Sequence, residues 1–239
     1  MITNKKSLII GKGEGISKYL SNQLGIKSVS SREISKLNFS GFNNIIYTST
    51  NPSHSVDSKN ISSYIEKNFR NIYYILESNF KGKISYLSSV EAGAFQTKRV
   101  GSNNQIENMY TPYSFSKFSL ESLILDQKSF EAINILRLGL LWPAKLNSNI
   151  IKAIKKKPKD LSINLNSTYY ITPYSLVLRF LKENFLSNKK ENNFGYLMSS
   201  NKLKLSSLFD LRGIEYNKLK NHNYTYQTKE KDINLPNLA

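Results

Sequence analysis

A short apolar strand that runs straight into a glycine turn and a helix, followed by strands and helices in alternation, constrains this chain more than any other feature. Lys6-Ser-Leu-Ile-Ile10 ends at Gly11, and Ile16, Tyr19, Leu20 and Leu24 recur at helical spacing before Gly25. Ile26–Val29 reads as a second strand and Asn44–Thr48 as a third, bounded by Asn51-Pro52. Ser58–Ser78 carries Ile61, Tyr64, Ile65, Phe69, Ile72, Tyr73 and Leu76 on one broad face, which predicts a long helix. Lys83–Ser88 is a strand, residues 96–111 a polar loop, Ser114–Leu125 a helix and Ala132–Leu138 a strand. Such alternation predicts an α/β fold with a parallel sheet covered on both faces.

After Trp142-Pro143 the pattern becomes shorter and less regular, which divides the chain into a 1–142 portion and a smaller 143–239 portion. Asn147–Lys157 reads as helical, Leu161–Tyr170 as extended, Ser175–Asn184 as helical, Phe194–Met198 as extended and Leu205–Leu211 as helical. The polar, basic tail from Asn217 is expected to be partly loose. The apolar stretch Ile133–Trp142 is broken by Asn134 and Arg137, far short of the roughly 20 residues a membrane helix needs. Ser7–Ile10 is too brief for the apolar region of a secretory signal. A cytoplasmic protein without membrane contact is expected. Cysteine is absent, which excludes disulfides, thiolate metal sites and a cysteine nucleophile; His54 and His222 are the sole imidazoles, so no metal site is expected.

The 34 basic residues exceed the 17 acidic ones, giving a formal charge of +17. At face value that points to an anionic partner. The excess is nevertheless spread along the chain, and its one dense run, Lys152, Lys155, Lys156, Lys157 and Lys159, lacks the interleaved aromatics of a single-strand binding groove. A general bias toward Lys, Asn, Ile and Ser explains the charge more simply, and nucleic acid is not expected as a partner. The lysine run reads as a solvated helix face, with a nucleotide diphosphate as the alternative ligand.

Gly11-Lys12-Gly13-Glu14-Gly15-Ile16 stands directly after the first strand. In a parallel sheet, ligands sit beyond the carboxyl ends of the strands. A glycine turn there lets backbone N–H groups and a helix N-terminus approach a pyrophosphate. The spacing only partly satisfies the dinucleotide pattern, since Ile16 and Ser17 stand where a further glycine is usual. At the end of the second strand, an acid holds the ribose hydroxyls of NAD, whereas an arginine accommodates the 2′-phosphate of NADP. Ser30, Ser31 and Arg32 stand here, which favours NADP with NAD as the alternative.

Tyr113 and Lys117 are four residues apart, and in a helix that spacing places them on one face. A neighbouring ammonium favours a phenolate, so the pair predicts a tyrosine able to give or take a proton near neutral pH. Ser88 and Ser89, at the end of the Lys83–Leu87 strand, lie where a parallel sheet would deliver a hydroxyl to the same carbonyl oxygen. Trp142-Pro143 reads as packing at a junction, and His54 as a loop residue.

The order of these parts resembles the short-chain dehydrogenase/reductase superfamily, and within it the extended branch of NAD-dependent epimerases/dehydratases that modify nucleotide sugars. The resemblance runs from about Lys6 to Leu141, with weaker echoes to about Leu211. It implies a Rossmann-type doubly wound parallel sheet over 1–142, with a small C-terminal substrate-binding portion over 143–239 that is partly packed back on the sheet. Tyr113 and Lys117 fall on the family's Tyr-Lys pair, and Tyr86-Leu-Ser-Ser89 on the strand that ends in the triad serine, which makes Ser89 the candidate. Glu66-Lys-Asn-Phe-Arg-Asn-Ile72 resembles the helix bearing an asparagine that organises the site, so Asn68 is the fourth member. Thr48, Ser49 and Thr50 fall where the family lines its cofactor, and Leu136-Arg137-Leu138 on the strand leading to the substrate portion.

Departures narrow the implication. Glu14 and Ser17 replace usual glycines, Val90 replaces the Asp of the dehydratase Asp-Glu pair, and Tyr170-Ile-Thr-Pro-Tyr174 lacks the family's late Asp. The resemblance therefore implies an oxidoreductase that reduces a keto group of a nucleotide-linked sugar. A nucleotide-sugar epimerase with retained NAD, and a non-catalytic NADP-binding module of the same fold, are the alternatives. Family members commonly pair through the helices around Asn68 and Lys117, which implies a homodimer.

Overall fold

The structure is a computed structural model, and it describes residues 6–13, 15–50, 59–95, 111–142, 168–187, 190–199, 202–204 and 224–226. Strand β1, Ser7–Ile10, is buried at all four positions, as a central parallel strand with helices on both faces must be. Helix α1, Ile16–Leu24, stops at Gly25, whose left-handed backbone ends the helix without a Cβ penalty. Strands β2 (Lys27–Val29) and β3 (Asn44–Tyr47) follow, then helix α2 (Ile61–Glu77) and strand β4 (Lys83–Ser89). Helix α3 covers Pro112–Leu125 and strand β5 Ala132–Leu138. The helix begins two residues before the apolar periodicity does, because Pro112 fits the first turn and Thr111 and Ser114 cap it reciprocally.

Beyond these come β6 (Leu140–Trp142), β7 (Thr168–Tyr169), β8 (Ile171–Pro173) and helix α4 (Tyr174–Phe180), which continues as a π-helical turn over Leu181–Phe185. Strands β9 (Asn193–Ser199), β10 (Leu203–Lys204) and β11 (Tyr224–Tyr226) complete the described elements. The main sheet has the order β11-β9-β5-β4-β3-β1-β2. Six of its strands, β2 to β9 across the sheet, are parallel, and β11 adds an antiparallel edge. Two small sheets pair β6 with β8 and β7 with β10.

Alternation along the strands feeds two cores. Leu8, Ile10, Ile45, Tyr47, Ile84, Tyr86, Ile133 and Ile135 face Ile72 and Ile75 of α2 and Leu120 and Ile124 of α3. Ile9, Ile46, Leu87, Leu136 and Leu138 face Leu20 and Leu24 of α1 and Val177, Phe180 and Leu181 of α4. The Rossmann-type doubly wound sheet expected from the sequence is therefore present, with helices on both faces.

Strand β9 and helix α4, both beyond Trp142, are built into this sheet and its helical layer. Asn193 Nδ2 donates to Asn134 Oδ1 at 2.7 Å, a buried pair that fixes the register of β9 on β5. The tail, expected to be partly loose, supplies β11: Tyr224-Thr-Tyr226 pairs with Leu197–Ser199 and covers the sheet edge. The expected loop 96–110, the helices 147–157 and 205–211, the extended stretch 161–167, the lysine run 152–159, His54 and His222 lie outside the described residues. Among the described residues no helix is long and apolar enough to cross a membrane.

Candidate active site

The chain leaves β1 for β2 on one side and returns to β3 on the other, so the carboxyl ends of β1 and β3 flank the crevice of a doubly wound sheet. Gly11 ties this point together. Its N–H donates to the Val29 carbonyl at 2.9 Å, and Thr48 Oγ1 donates to the Ile10 carbonyl at 2.9 Å. With φ of +127°, Gly11 adopts a backbone that L side chains rarely do, and a Cβ there would strike Thr48 Oγ1.

Gly13 N–H donates to Ser17 Oγ at 3.2 Å, and Ser17 Oγ donates back to the Gly13 carbonyl at 3.1 Å. The serine that replaces a usual glycine thus closes the turn through its hydroxyl. Helix α1 has Gly15 at its N-cap and no side-chain cap, which leaves the positive end of the helix dipole facing the crevice. Lys12 and Gly13 are exposed and Ile16 is half-buried. Glu14 lies outside the described residues.

At the far side, Ser31 is half-buried and Arg32 exposed. The sequence reading missed Glu33. Its carboxylate accepts the Ser30 N–H at 2.8 Å, while Arg32 N–H donates to Ser30 Oγ at 3.2 Å. The signal was the Ser30-x-x-Glu33 spacing of a half capping box. The acid beyond β2 is turned onto its own loop, and both Arg32 and Glu33 are exposed.

Lys117, buried on α3, donates to Thr50 Oγ1 at 2.9 Å and to the Leu87 carbonyl at 2.8 Å. Its Nζ lies 4.9 Å from the Tyr86 ring centroid and 5.7 Å from that of Tyr113. Tyr113, one helical turn earlier, hydrogen-bonds through its phenol with the Ser89 side chain. Ser89 Oγ also accepts the Glu91 N–H at 3.3 Å. The neighbouring hydroxyl goes elsewhere: Ser88 Oγ donates to Glu121. Of the two serines, Ser89 is the one on the phenol. The structure thus brings Ser89, Tyr113, Lys117 and Thr50 together at the ends of β3, β4 and the start of α3.

Burial raises the Tyr113 phenol well above the usual tyrosine range; the Ser89 hydrogen bond opposes this, and the Glu91 and Tyr64 charges add to it. Lys117 moves the other way, pushed down to about 7 by burial against the pull of Glu121 and Glu91. The expectation that the ammonium would make the phenol acidic is therefore not met in the protein alone. Desolvation acts on both groups, and the Lys117 N–H groups are directed to Thr50 and Leu87. The phenol is held protonated.

Asn68 sits buried on α2, where its Nδ2 donates to the Tyr64 carbonyl at 3.0 Å. Its side chain also bonds the Tyr64 phenol, which lies beside Ser116 and near Glu91. Asn68 thus bonds Tyr64, a residue that the sequence places only in the helix periodicity and whose charge acts on Tyr113. Glu121 and Arg137 were missed as well. They form a buried ion pair at 2.7 Å, with side-chain exposures of 2% and 0%. Their signal was an acid four residues after Lys117 and a guanidinium inside an otherwise apolar strand.

No protein-family model matches the sequence, and no curated protein matches it. Solved structures do. RMD from Pseudomonas aeruginosa, complexed with NADPH, superposes with a TM-score of 0.61 at 15% identity over 86% of this chain and 82% of that one. MoeE5, in complex with UDP-glucuronic acid and NAD, gives 0.65 at 13% identity over 92% and 83%. The UDP-glucose 4-epimerase of Thermotoga maritima, with UDP-glucose, gives 0.59 at 13% identity over 86% and 81%. The chain shares the Rossmann-type fold of these structures.

Proposed function

We propose that the protein is an NADP-dependent oxidoreductase that reduces a keto group of a sugar linked to a nucleoside diphosphate. The observation that carries this reading is the buried Ser89–Tyr113 hydrogen bond with Lys117 one turn behind it, at the mouth of the crevice beside β1 and β3. The solved structures of similar fold support it through what their names record: NADPH with one, NAD with others, UDP-sugars with several.

The residues present fit a dinucleotide. The uncapped start of α1 offers backbone N–H groups to a pyrophosphate, with Lys12 exposed beside it. Arg32 would meet a 2′-phosphate, Ser31 a ribose hydroxyl, and Thr48, Ser49 and Thr50 would line the path to the nicotinamide. Lys117 would exchange its bond to Thr50 for the nicotinamide ribose. When bound, the nicotinamide supplies a hydride.

The remaining chemistry belongs to the chain. Ser89 Oγ and Tyr113 Oη, already hydrogen-bonded, hold one carbonyl oxygen between them. As negative charge develops there, Tyr113 Oη gives up its proton, and the Lys117 ammonium stabilises the phenolate left behind. Burial keeps the phenol protonated in the protein alone, so a proton is in place on Tyr113 Oη for a developing alkoxide; a nucleotide-sugar epimerase would use the same residues in both directions. The 143–239 portion would supply the substrate cap. Ile65 and Tyr73 of α2 and Phe115 of α3, all exposed, support a homodimer through these helices.

Calorimetric titration with NADPH and NADH tests the cofactor assignment. Tighter binding of NADPH is expected, and Arg32→Ala should remove that preference. Tighter binding of NADH would contradict the Arg32 assignment, and binding of neither would overturn the dinucleotide reading.

A further inference from the structure

Glu121 and Arg137 lie behind the proposed active site, and the chemistry above leaves them without a part. Arg137 Nε lies 3.1 and 3.2 Å from the two Glu121 oxygens and Nη2 2.7 Å from Oε2, a bidentate pair. Ser88 Oγ donates to the same carboxylate. On its other side the guanidinium donates to the Tyr196 hydroxyl at 3.0 Å and lies 4.7 Å from the Phe194 ring centroid. Gly93 packs so closely on Tyr196 that a Cβ would meet its hydroxyl at 2.6 Å. The network thus joins β4, α3, β5, β9 and the turn that follows Ser89.

A buried ion pair is costly to desolvate and is often replaced by apolar residues without loss of stability, so its stability contribution does not account for it. Its position does. Glu121 is one turn beyond Lys117 on the buried face of α3, and its Ser88 partner adjoins Ser89. The other groups facing Lys117 are the phenols of Tyr86 and Tyr113, the Thr50 hydroxyl, the Leu87 carbonyl and Glu91. Tyr64 of α2 stands behind Tyr113 and Glu91. Against the burial that pushes Lys117 toward the neutral amine, Glu121 is the larger opposing charge and Glu91 the smaller.

We propose that Glu121, clamped by Arg137 and Ser88, is a positioning residue that keeps Lys117 charged and aimed at the nicotinamide side of the site. The inference rests on the reading of Lys117 as the cofactor-holding cation, but its primary test does not need cofactor. In protein labelled with 13C at lysine Cε, the Lys117 resonance is assigned by its loss in Lys117→Met and followed with pH. A wild-type midpoint near 7 is expected. Glu121→Gln should lower it by about one pH unit, in line with the loss of a nearby opposite charge.

Because Glu121→Gln leaves Arg137 unpaired, the double variant Glu121→Gln with Arg137→Met serves as the folding-safe form, and its midpoint should fall by less, since the neighbouring cation is removed with the carboxylate. A purely structural pair would lower thermal stability with the Lys117 midpoint unmoved in both variants, and that result overturns the proposal. NADPH titration of the same proteins at neutral pH separates the two readings. Weaker binding in step with the lowered midpoint supports both. A lowered midpoint with NADPH affinity unchanged keeps the charge role of Glu121 and removes Lys117 from the cofactor site.

Discussion

Gly11 illustrates how one backbone position governs the crevice. Its φ of +127° and the Thr48 hydroxyl packed over it exclude any side chain. Gly11→Ala should therefore cost about 1–3 kcal/mol, read from urea unfolding, and should weaken NADPH binding through displacement of Thr48. Gly11, Ser89, Tyr113 and Lys117 were legible in the sequence because each is marked by its place relative to a strand end or by i,i+4 spacing on a helix. Ser17 was legible only as a departure. That its hydroxyl closes the turn on Gly13 depends on backbone geometry that spacing does not encode. The protonation of Tyr113 was misjudged for a related reason: spacing reveals the neighbouring charge but not the burial, and here burial outweighs it.

Helix α3 carries both members of the Tyr-Lys pair, and its first turn is set by a reciprocal cap. Thr111 Oγ1 accepts the Ser114 N–H at 3.0 Å, and Ser114 Oγ accepts the Thr111 N–H at 3.0 Å. Thr111→Ala should lower stability by about 1 kcal/mol in thermal or urea unfolding. Tyr113 lies in that turn, so the same variant should lower turnover more than it lowers NADPH affinity. The helices and strands of residues 6–138 were legible because their apolar periods differ cleanly. Strand β9 was recognised as extended but not as a member of the sheet, since only its partner, through Asn134 and Asn193, determines where it goes. On the exposed side, Ile65, Tyr73 and Phe115 predict a dimer in light scattering, and Phe115→Glu with Tyr73→Glu should yield a monomer.

For the whole molecule, the buried titratable groups predict a stability maximum on the alkaline side of neutrality. Lys117 titrates near 7 in the folded chain, whereas an unfolded lysine titrates near ~10.4, so between these values the unfolded state binds more protons. Stability should rise with pH through that window, by up to about 1.4 kcal/mol per unit. Tyr47, Tyr86 and Tyr113 act oppositely, because burial raises all three and the folded state keeps protons that the unfolded chain releases above about pH 10. Urea midpoints measured from neutral to strongly alkaline pH should rise and then fall, and Lys117→Met should flatten the rise. The sheet, its switch point and the buried phenol together make one central claim, that Tyr113 gives the proton as a nicotinamide gives the hydride. Its most direct test is loss of NADPH absorbance in the presence of keto sugars linked to nucleoside diphosphates, compared between the wild-type protein and Tyr113→Phe. The account predicts turnover by the wild type and a loss of about 10²–10⁴-fold in kcat for the variant; turnover undiminished in Tyr113→Phe would contradict it.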